Sequence, residues 1–331
     1  MPKGPYAIGI DIGGTKIAAA IADSTGKIIK QNMIPTDAKK GGDFVAEQIA
    51  QCVTALRQDA GVSVNDVKAI ALGIPGQIDA KQGIVRNAPN ISNWKDYLLR
   101  DKLSKKVGPI PIYLENDAHC AAMGELYYGA GRTFNNMVFI TVSTGVGGGV
   151  IINRKLWPGV HGVAGEVGHM TLNLPSDNEI ECGCGRKGCL EAYASGVSMA
   201  KRATKKLKDA SVLRDNYGRK VLELSERNSG KITSIILSEA AQAGDEFAID
   251  IIKENAYYIG IACANLMTVL DPEAIVIGGG VSKIGDLLFD EIRATAYAHV
   301  SMLRSIKTPI EPATTGTDAG LLGALAVGLS Q

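Results

Sequence analysis

The 331-residue chain balances 35 lysines and arginines against 34 carboxylates, a net charge of +1, so no large field draws it to nucleic acid or to an anionic membrane. Its 46% apolar content is ordinary for a soluble globular protein and, at this length, supplies cores for two domains. Six cysteines in so long a chain exclude a small secreted disulfide scaffold, and Met1–Tyr6 has no apolar signal-peptide region, so a cytoplasmic protein is expected.

Tyr6–Ile10 reads as a buried strand, Asp11-Ile12-Gly13-Gly14-Thr15 as a turn and Lys16–Ala22 as the returning strand; Lys27–Gln31 follows a second turn. Gly42–Gly61 has helical spacing, Val67–Ile74 is a strand stopped by Pro75-Gly76, and Ile110–Leu114 is a strand leading into a helix from about Ala118 to Tyr128. Met137–Val142, a turn over Ser143–Gly149 and a strand over Val150–Asn153 repeat the design of the first hairpin. Residues 197–226 are helical and charged, a pattern expected of a solvated face. Ser234–Leu270 is more than one helix; its apolar end, Ile259–Leu270, is too short to span a membrane and reads as core. Ala274–Ile277 is a strand, and Asp318–Leu329 a last helix with Asp318 as N-cap.

Three glycine-rich turns carry the first chemical signal. In Asp11–Lys16, glycines at a strand-to-strand turn let amides face one anion, Thr15 adds a hydroxyl, and Asp11 is placed to hold Mg²⁺ through water. Taken alone the loop is equally a tight hairpin, and it is neither a Walker A loop nor a Rossmann fingerprint. Ser143–Gly149 supplies a second such loop, so that two hairpins can grip a polyphosphate from both sides. Gly278-Gly279-Gly280, ending a strand, suits close backbone approach to a flat adenosine.

Asp117 stands where a strand gives way to a helix, a place where α/β folds bind ligands. It is either a helix cap or a general base for an attacking hydroxyl. Glu166, His169 and Glu191 add acceptors suited to ring hydroxyls. His169 is followed, twelve residues on, by Cys182-Gly183-Cys184 and, four residues later, by Cys189. One histidine and three cysteines make a closed tetrahedral zinc set with no open position, hence a structural metal; reduced thiols or a disulfide are the alternatives. His169 would bind zinc through one ring nitrogen and meet a carboxylate or a sugar hydroxyl through the other.

These stretches, with Glu115-Asn116-Asp117, Glu166-Val167-Gly168-His169, Cys182–Glu191 and Ile277–Ser282, resemble the ROK sugar kinases (repressors, open reading frames and kinases) over essentially the whole chain. The resemblance implies an α/β, two-lobed hexokinase/actin-like ATPase fold, ribonuclease H-like, with a zinc knuckle. A small lobe is expected over 1–117 and a large lobe with the zinc site over 118–304, with a C-terminal helix, about 305–331, packed back on the small lobe. Asp117 is implied as catalytic base, and Asn90, Asn116, Glu166, His169 and Glu191 join it as sugar contacts. Phosphate contacts are implied at Gly13, Gly14, Thr15 and Lys16 and at Thr144, Gly145, Gly147 and Gly148; Asp11, Gly279 and Gly280 complete the expected nucleotide side. Family members are usually homodimers or homotetramers.

The expected reaction is ATP-dependent phosphorylation of glucose at its 6-hydroxyl to glucose 6-phosphate, with ATP and Mg²⁺ at work and Zn²⁺ structural. Glucose is the family's frequent substrate; N-acetylmannosamine, N-acetylglucosamine and fructose kinases share the motifs. Polyphosphate-using relatives generally lack the cysteine knuckle, which favours ATP. Repressors of the family carry a helix-turn-helix domain ahead of the first phosphate loop; with ten residues before Asp11, a kinase rather than a repressor is expected.

Overall fold

The computed structural model describes residues 4–88, 90–172, 180–208, 217–228, 230–300 and 307–331. The chain opens with strands β1 (Tyr6–Ile12), β2 (Lys16–Ala22) and β3 (Ile28–Pro35), then helix α1 (Gly42–Ala60) and strand β4 (Val67–Ile74). Three short strands, β5 (Gln77–Asp79), β6 (Ile84–Asn87) and β7 (Lys95–Tyr97), precede α2 (Leu99–Val107), β8 (Ile112–Asn116) and α3 (Asp117–Tyr128). A second run holds β9 (Met137–Val142), β10 (Val146–Ile152), β11 (Lys155–Leu156), α4 (Leu190–Ala194), α5 (Gly196–Leu207), α6 (Arg219–Glu226), α7 (Ser234–Gln242) and α8 (Glu246–Leu270). It closes with β12 (Ala274–Gly278), α9 (Asp286–His299), β13 (Ile310–Pro312) and α10 (Ala319–Leu329).

Two compact units result. The first is Met1–Phe134 with Gly149–Ala164 and Thr314–Gln331; the second is Asn135–Gly148 with Gly165–Ala313. In the first, the strand order is β3-β2-β1-β4-β8, antiparallel from β3 to β1 and parallel from β1 to β8. Interior strand β4 is a near-continuous apolar run because the sheet is covered on both faces. One face packs α1, whose Val45, Ile49, Val53 and Leu56 recur at helical spacing and are buried. That helix stops at Gly61, left-handed at φ 65°, whose N–H returns to the Arg57 and Gln58 carbonyls. The other face packs α10. The parallel register sets Asp11, Gly73 and Glu115 abreast on β1, β4 and β8 at the carboxyl edge of the strands.

In the second unit β9, β12 and β13 run parallel in that order, with β10 starting beside β9. Helix α8 is buried through Phe247, Ile251, Ile259 and Cys263 at its heart. It contains the apolar Ile259–Leu270 stretch; among the described residues no helix is long and apolar enough to cross a membrane.

Several expectations shift. Helix α3 belongs to the first unit, so the division falls after Phe134 rather than at 117. The reason is α10: a Cβ on Gly323 would fall inside the Cys120 carbonyl, and one on Gly124 inside the Ala319 carbonyl, so the two helices lie main chain against main chain. At the C-terminus, β13 stays in the second unit through its pairing with β12, and the return to the first begins at Thr314; residues 305 and 306 of the expected segment lie outside the described residues. Asp318 does not cap α10 with its side chain, because the chain enters the helix through a 3-10 turn already in helical backbone. Strand β1 continues through Asp11 and Ile12, and β10 begins at Val146, so both turns are shorter than expected. The charged 197–226 segment is two helices, α5 and α6, and its residues 209–216 lie outside the described residues.

Gly323→Val is expected to lower stability by about 3 kcal/mol, because main-chain atoms cannot repack around the added carbons. The urea midpoint measures it, and an unchanged midpoint would contradict the packing described.

Candidate functional site

In the first unit, the hairpin after β1 is closed by Gly13 N–H donating to Lys16 O at 2.8 Å, while the Thr36 hydroxyl donates to Gly13 O. The Gly13 amide is thus turned into the hairpin, and neither Gly13 nor Gly14 needs a positive φ. Gly14 is small for another reason: a Cβ there would lie 3.2 Å from Cβ of Asn90, which brings Asn90 against the loop. Asp11 sits beside the first turn of α10, where bare Gly320 leaves room for its carboxylate; a Cβ would be 2.8 Å from Asp11 Cγ. Burial pushes the Asp11 carboxyl up, and Lys16 partly offsets it. The helix N-terminus and Lys16 favour the ionised carboxylate, an oxygen ligand of the kind Mg²⁺ takes.

At the start of α3 the two sequence alternatives for Asp117 separate. The cap is Asn116: its side-chain oxygen accepts from Ala118 N at 2.9 Å and His119 N at 3.3 Å, and its amide donates to Gly76 O at 3.1 Å. Asp117 is the first helical residue, half-buried, with Oδ1 accepting from Ala118 N at 2.8 Å.

In the second unit the turn is confined to Ser143–Gly145, with Ser143 N–H on Gly145 O at 2.8 Å and Gly196 N–H on Ser143 O at 2.7 Å. Gly147 and Gly148 lie in β10, where a Cβ on Gly148 would meet Phe139 O at 2.6 Å. Gly279 has φ 91° and its missing Cβ is replaced by the Val142 backbone, so only glycine fits between β12 and β9. A cavity of ≈ 750 Å³ opens between Ser143-Thr144, Gly280-Val281, the Thr233 cap of α7 and one face of α5. Its floor includes Val197, Ile232 and Val281. Four lysines, at 201, 205, 208 and 283, line it and, among the described residues, no carboxylate does, which favours an anionic ligand with an apolar body. Sequence reasoning missed α5 here. Lys201, Lys205 and Lys208 recur at helical spacing beside Val197 and Thr204, so the face read as merely solvated is the wall of a cavity.

The cluster of His169, Cys182, Cys184 and Cys189 assembles as expected. Its ligand atoms lie within 4.8 Å of one another, with Cys182 Sγ 3.8 Å from His169 Nδ1 and Cys184 Sγ 3.7 Å from Cys189 Sγ. Tetrahedral zinc with Zn–S near 2.3 Å requires ligand separations of about 3.8 Å. All three thiols are free, which removes the disulfide alternative. Burial raises Cys189 and pushes Cys182 up to about 12, whereas the Arg186 backbone N–H lowers exposed Cys184. Pooled thiols of this kind ionise together only around a cation, so the four side chains fit a zinc ion.

Glu191 does more than the sequence suggested. Its Oε2 accepts from Val146 N at 2.9 Å and lies over Gly145, while Oε1 is 3.8 Å from Cys182 Sγ. One carboxylate thereby joins the thiol cluster to the glycine turn. Glu166 is exposed and opens the 3-10 turn Val167–His169, its carbonyl accepting from His169 N at 3.0 Å.

The sequence profile described as ROK family matches residues 7–330. The chain belongs to the ROK family. A glucokinase of Halalkalibacterium halodurans is 38% identical over 316 residues, 96% of this chain and 92% of that protein. A ROK hexokinase structure from Thermus thermophilus superposes with a TM-score of 0.81 at 33% identity, covering 97% of each chain. A ROK glucokinase from Streptomyces griseus, solved with glucose and AMPPNP, gives 0.79 at 35% identity, covering 98% of this chain and 100% of that one. This ROK chain therefore has the two-lobed α/β fold that its motifs imply.

Chelator-treated protein is expected to take up one equivalent of Zn²⁺ per chain, with a rise in melting temperature, and Cys184→Ser to lose most of that rise. Titration followed by calorimetry tests it; no zinc-dependent shift in the unsubstituted chain would dismiss the site.

Proposed function

We propose that this ROK-family sugar kinase phosphorylates glucose at the 6-hydroxyl with ATP, giving glucose 6-phosphate, and that Asp117 is the general base. The observation that carries the reading is the start of α3. Capping belongs to Asn116 there, and Asp117 follows it at the carboxyl edge of the parallel strands. ATP would supply the phosphoryl group, with Mg²⁺ held near Asp11 offsetting its charge.

The residues themselves do the rest. Asp117 takes the proton from the attacking hydroxyl oxygen. Thr144 and Gly145 present the second glycine turn, and the apolar floor by Gly280 and Val281, with its lysine rim, suits an adenosine carrying phosphates. Lys16 and the Gly14–Thr15 turn offer donors to a phosphate. Asn90, Asn116, Glu166 and Glu191 serve as hydroxyl partners, the last with the capacity left over from Val146. His169 gives Nδ1 to a structural zinc and keeps Nε2 for a hydroxyl. Glucose is favoured over N-acetylated hexosamines and fructose by the similarity to two proteins named glucokinases.

A panel of hexoses assayed by ADP release should show the highest kcat/KM for glucose; N-acetylmannosamine running ahead would replace it. Asp117→Asn is expected to reduce kcat by about 10³-fold while glucose affinity, read by calorimetry, stays within a few-fold. Near-normal turnover in that variant would remove Asp117 from the base role.

A further inference from the structure

His119 is a buried histidine in the first turn of α3, and each of its ring nitrogens faces an oxygen. Nδ1 is 2.8 Å from Glu115 Oε1, and Nε2 is 2.8 Å from Ala164 O. A carbonyl only accepts, and so does an ionised carboxylate, whereas a neutral imidazole offers a single donor. Satisfying both acceptors at once takes two N–H groups, that is, an imidazolium facing Glu115.

The pair reaches further than its two members. Glu115 Oε1 also accepts from Asn116 N at 2.9 Å, so the ion pair braces the backbone between the end of β8 and the turn that presents Asn116 and Asp117. The other arm of the ring fixes that turn to Ala164, the last residue of the first unit in this stretch, two positions ahead of Glu166. Negative charge gathers here: burial, then Glu115, Asp11 and Asp117, push the neighbouring Cys120 thiol well above its ordinary range.

We infer that His119 is a positioning residue for phosphoryl transfer, whose doubly hydrogen-bonded ring locks the turn bearing Asn116 and Asp117 onto the Ala164 carbonyl. It touches no substrate; the inference rests on the reading of Asn116 and Asp117 as acceptor-side groups.

His119→Leu fills the space but removes both donors, so the turn loses its tie to the Ala164 carbonyl and Glu115 loses its ring partner. The glucose KM is expected to rise about tenfold while the ATP KM stays within about twofold, the signature of a displaced acceptor site. His119→Asn keeps a donor amide and should recover most of the loss. A purely structural role would lower the active fraction and hence the apparent kcat without moving KM. A leucine variant with wild-type glucose KM, or an asparagine variant no better than leucine, overturns the inference. Should the leucine variant not fold, ¹⁵N-imidazole spectra of the wild-type chain decide. Only four histidines are present, and His119→Asn assigns the signal. Both ring nitrogens should be protonated at about pH 7.5, and one bare nitrogen overturns the inference. A wild-type chain that phosphorylates no sugar would count against the kinase reading instead, leaving the spectra as the test of the ring.

Discussion

Main-chain hydrogen bonding holds β1, β4 and β8 in a register that puts Asp11, Gly73 and Glu115 abreast. From that alignment the rest of the first unit's chemistry follows. The strands end together, so the hairpin after Asp11 and the helix after Asn116 start from the same edge. Helix α10 then covers the sheet, and its bare Gly320 leaves space for the Asp11 carboxylate. A slip of one residue in β8 would turn Glu115 to the opposite face and undo the brace with His119.

The second unit is organised by a side chain. Glu191 spans from the Cys182 thiol to the amide of Val146, so the histidine–cysteine knuckle and the glycine turn share one carboxylate. Cys189 precedes α4 directly and Glu191 is that helix's second residue, which fixes the reach of the carboxylate from the ligand side. A structural metal in this position acts on the ends of the elements it joins, since its ligands and their neighbours move as one body.

Legibility in the sequence followed the physics of each feature. Strands β4 and β9 were readable because buried parallel strands are unbroken apolar runs bounded by turns. The clustering of His169, Cys182, Cys184 and Cys189 was readable because these are rare residue types at fixed spacing. Asn116 as cap was not, since Asn and Asp cap equally well and only the backbone tells which of two adjacent residues is half outside the helix. The three-strand sheet β5–β7 and helices α2 and α9 left weak signals: the strands are three or four residues long, and α2 is mostly polar. The wall of the cavity escaped because a lysine at helical spacing looks the same whether it faces bulk water or a concave surface. The register linking Asp11 to Glu115 spans more than a hundred residues of chain and has no local signature at all.

Several very close approaches among the described residues are made against backbone. Gly323 faces the carbonyl of Cys120, Gly124 that of Ala319, and Gly279 the main chain of Val142. A crowded side chain can be relieved by a smaller neighbour, but a carbonyl is the same in every residue. These positions therefore have no compensating partner: no second substitution reopens the space. Drift by paired exchange, open to the aliphatic cores on either side, is closed at these three points, and the crossing of α3 and α10 is inherited whole or lost.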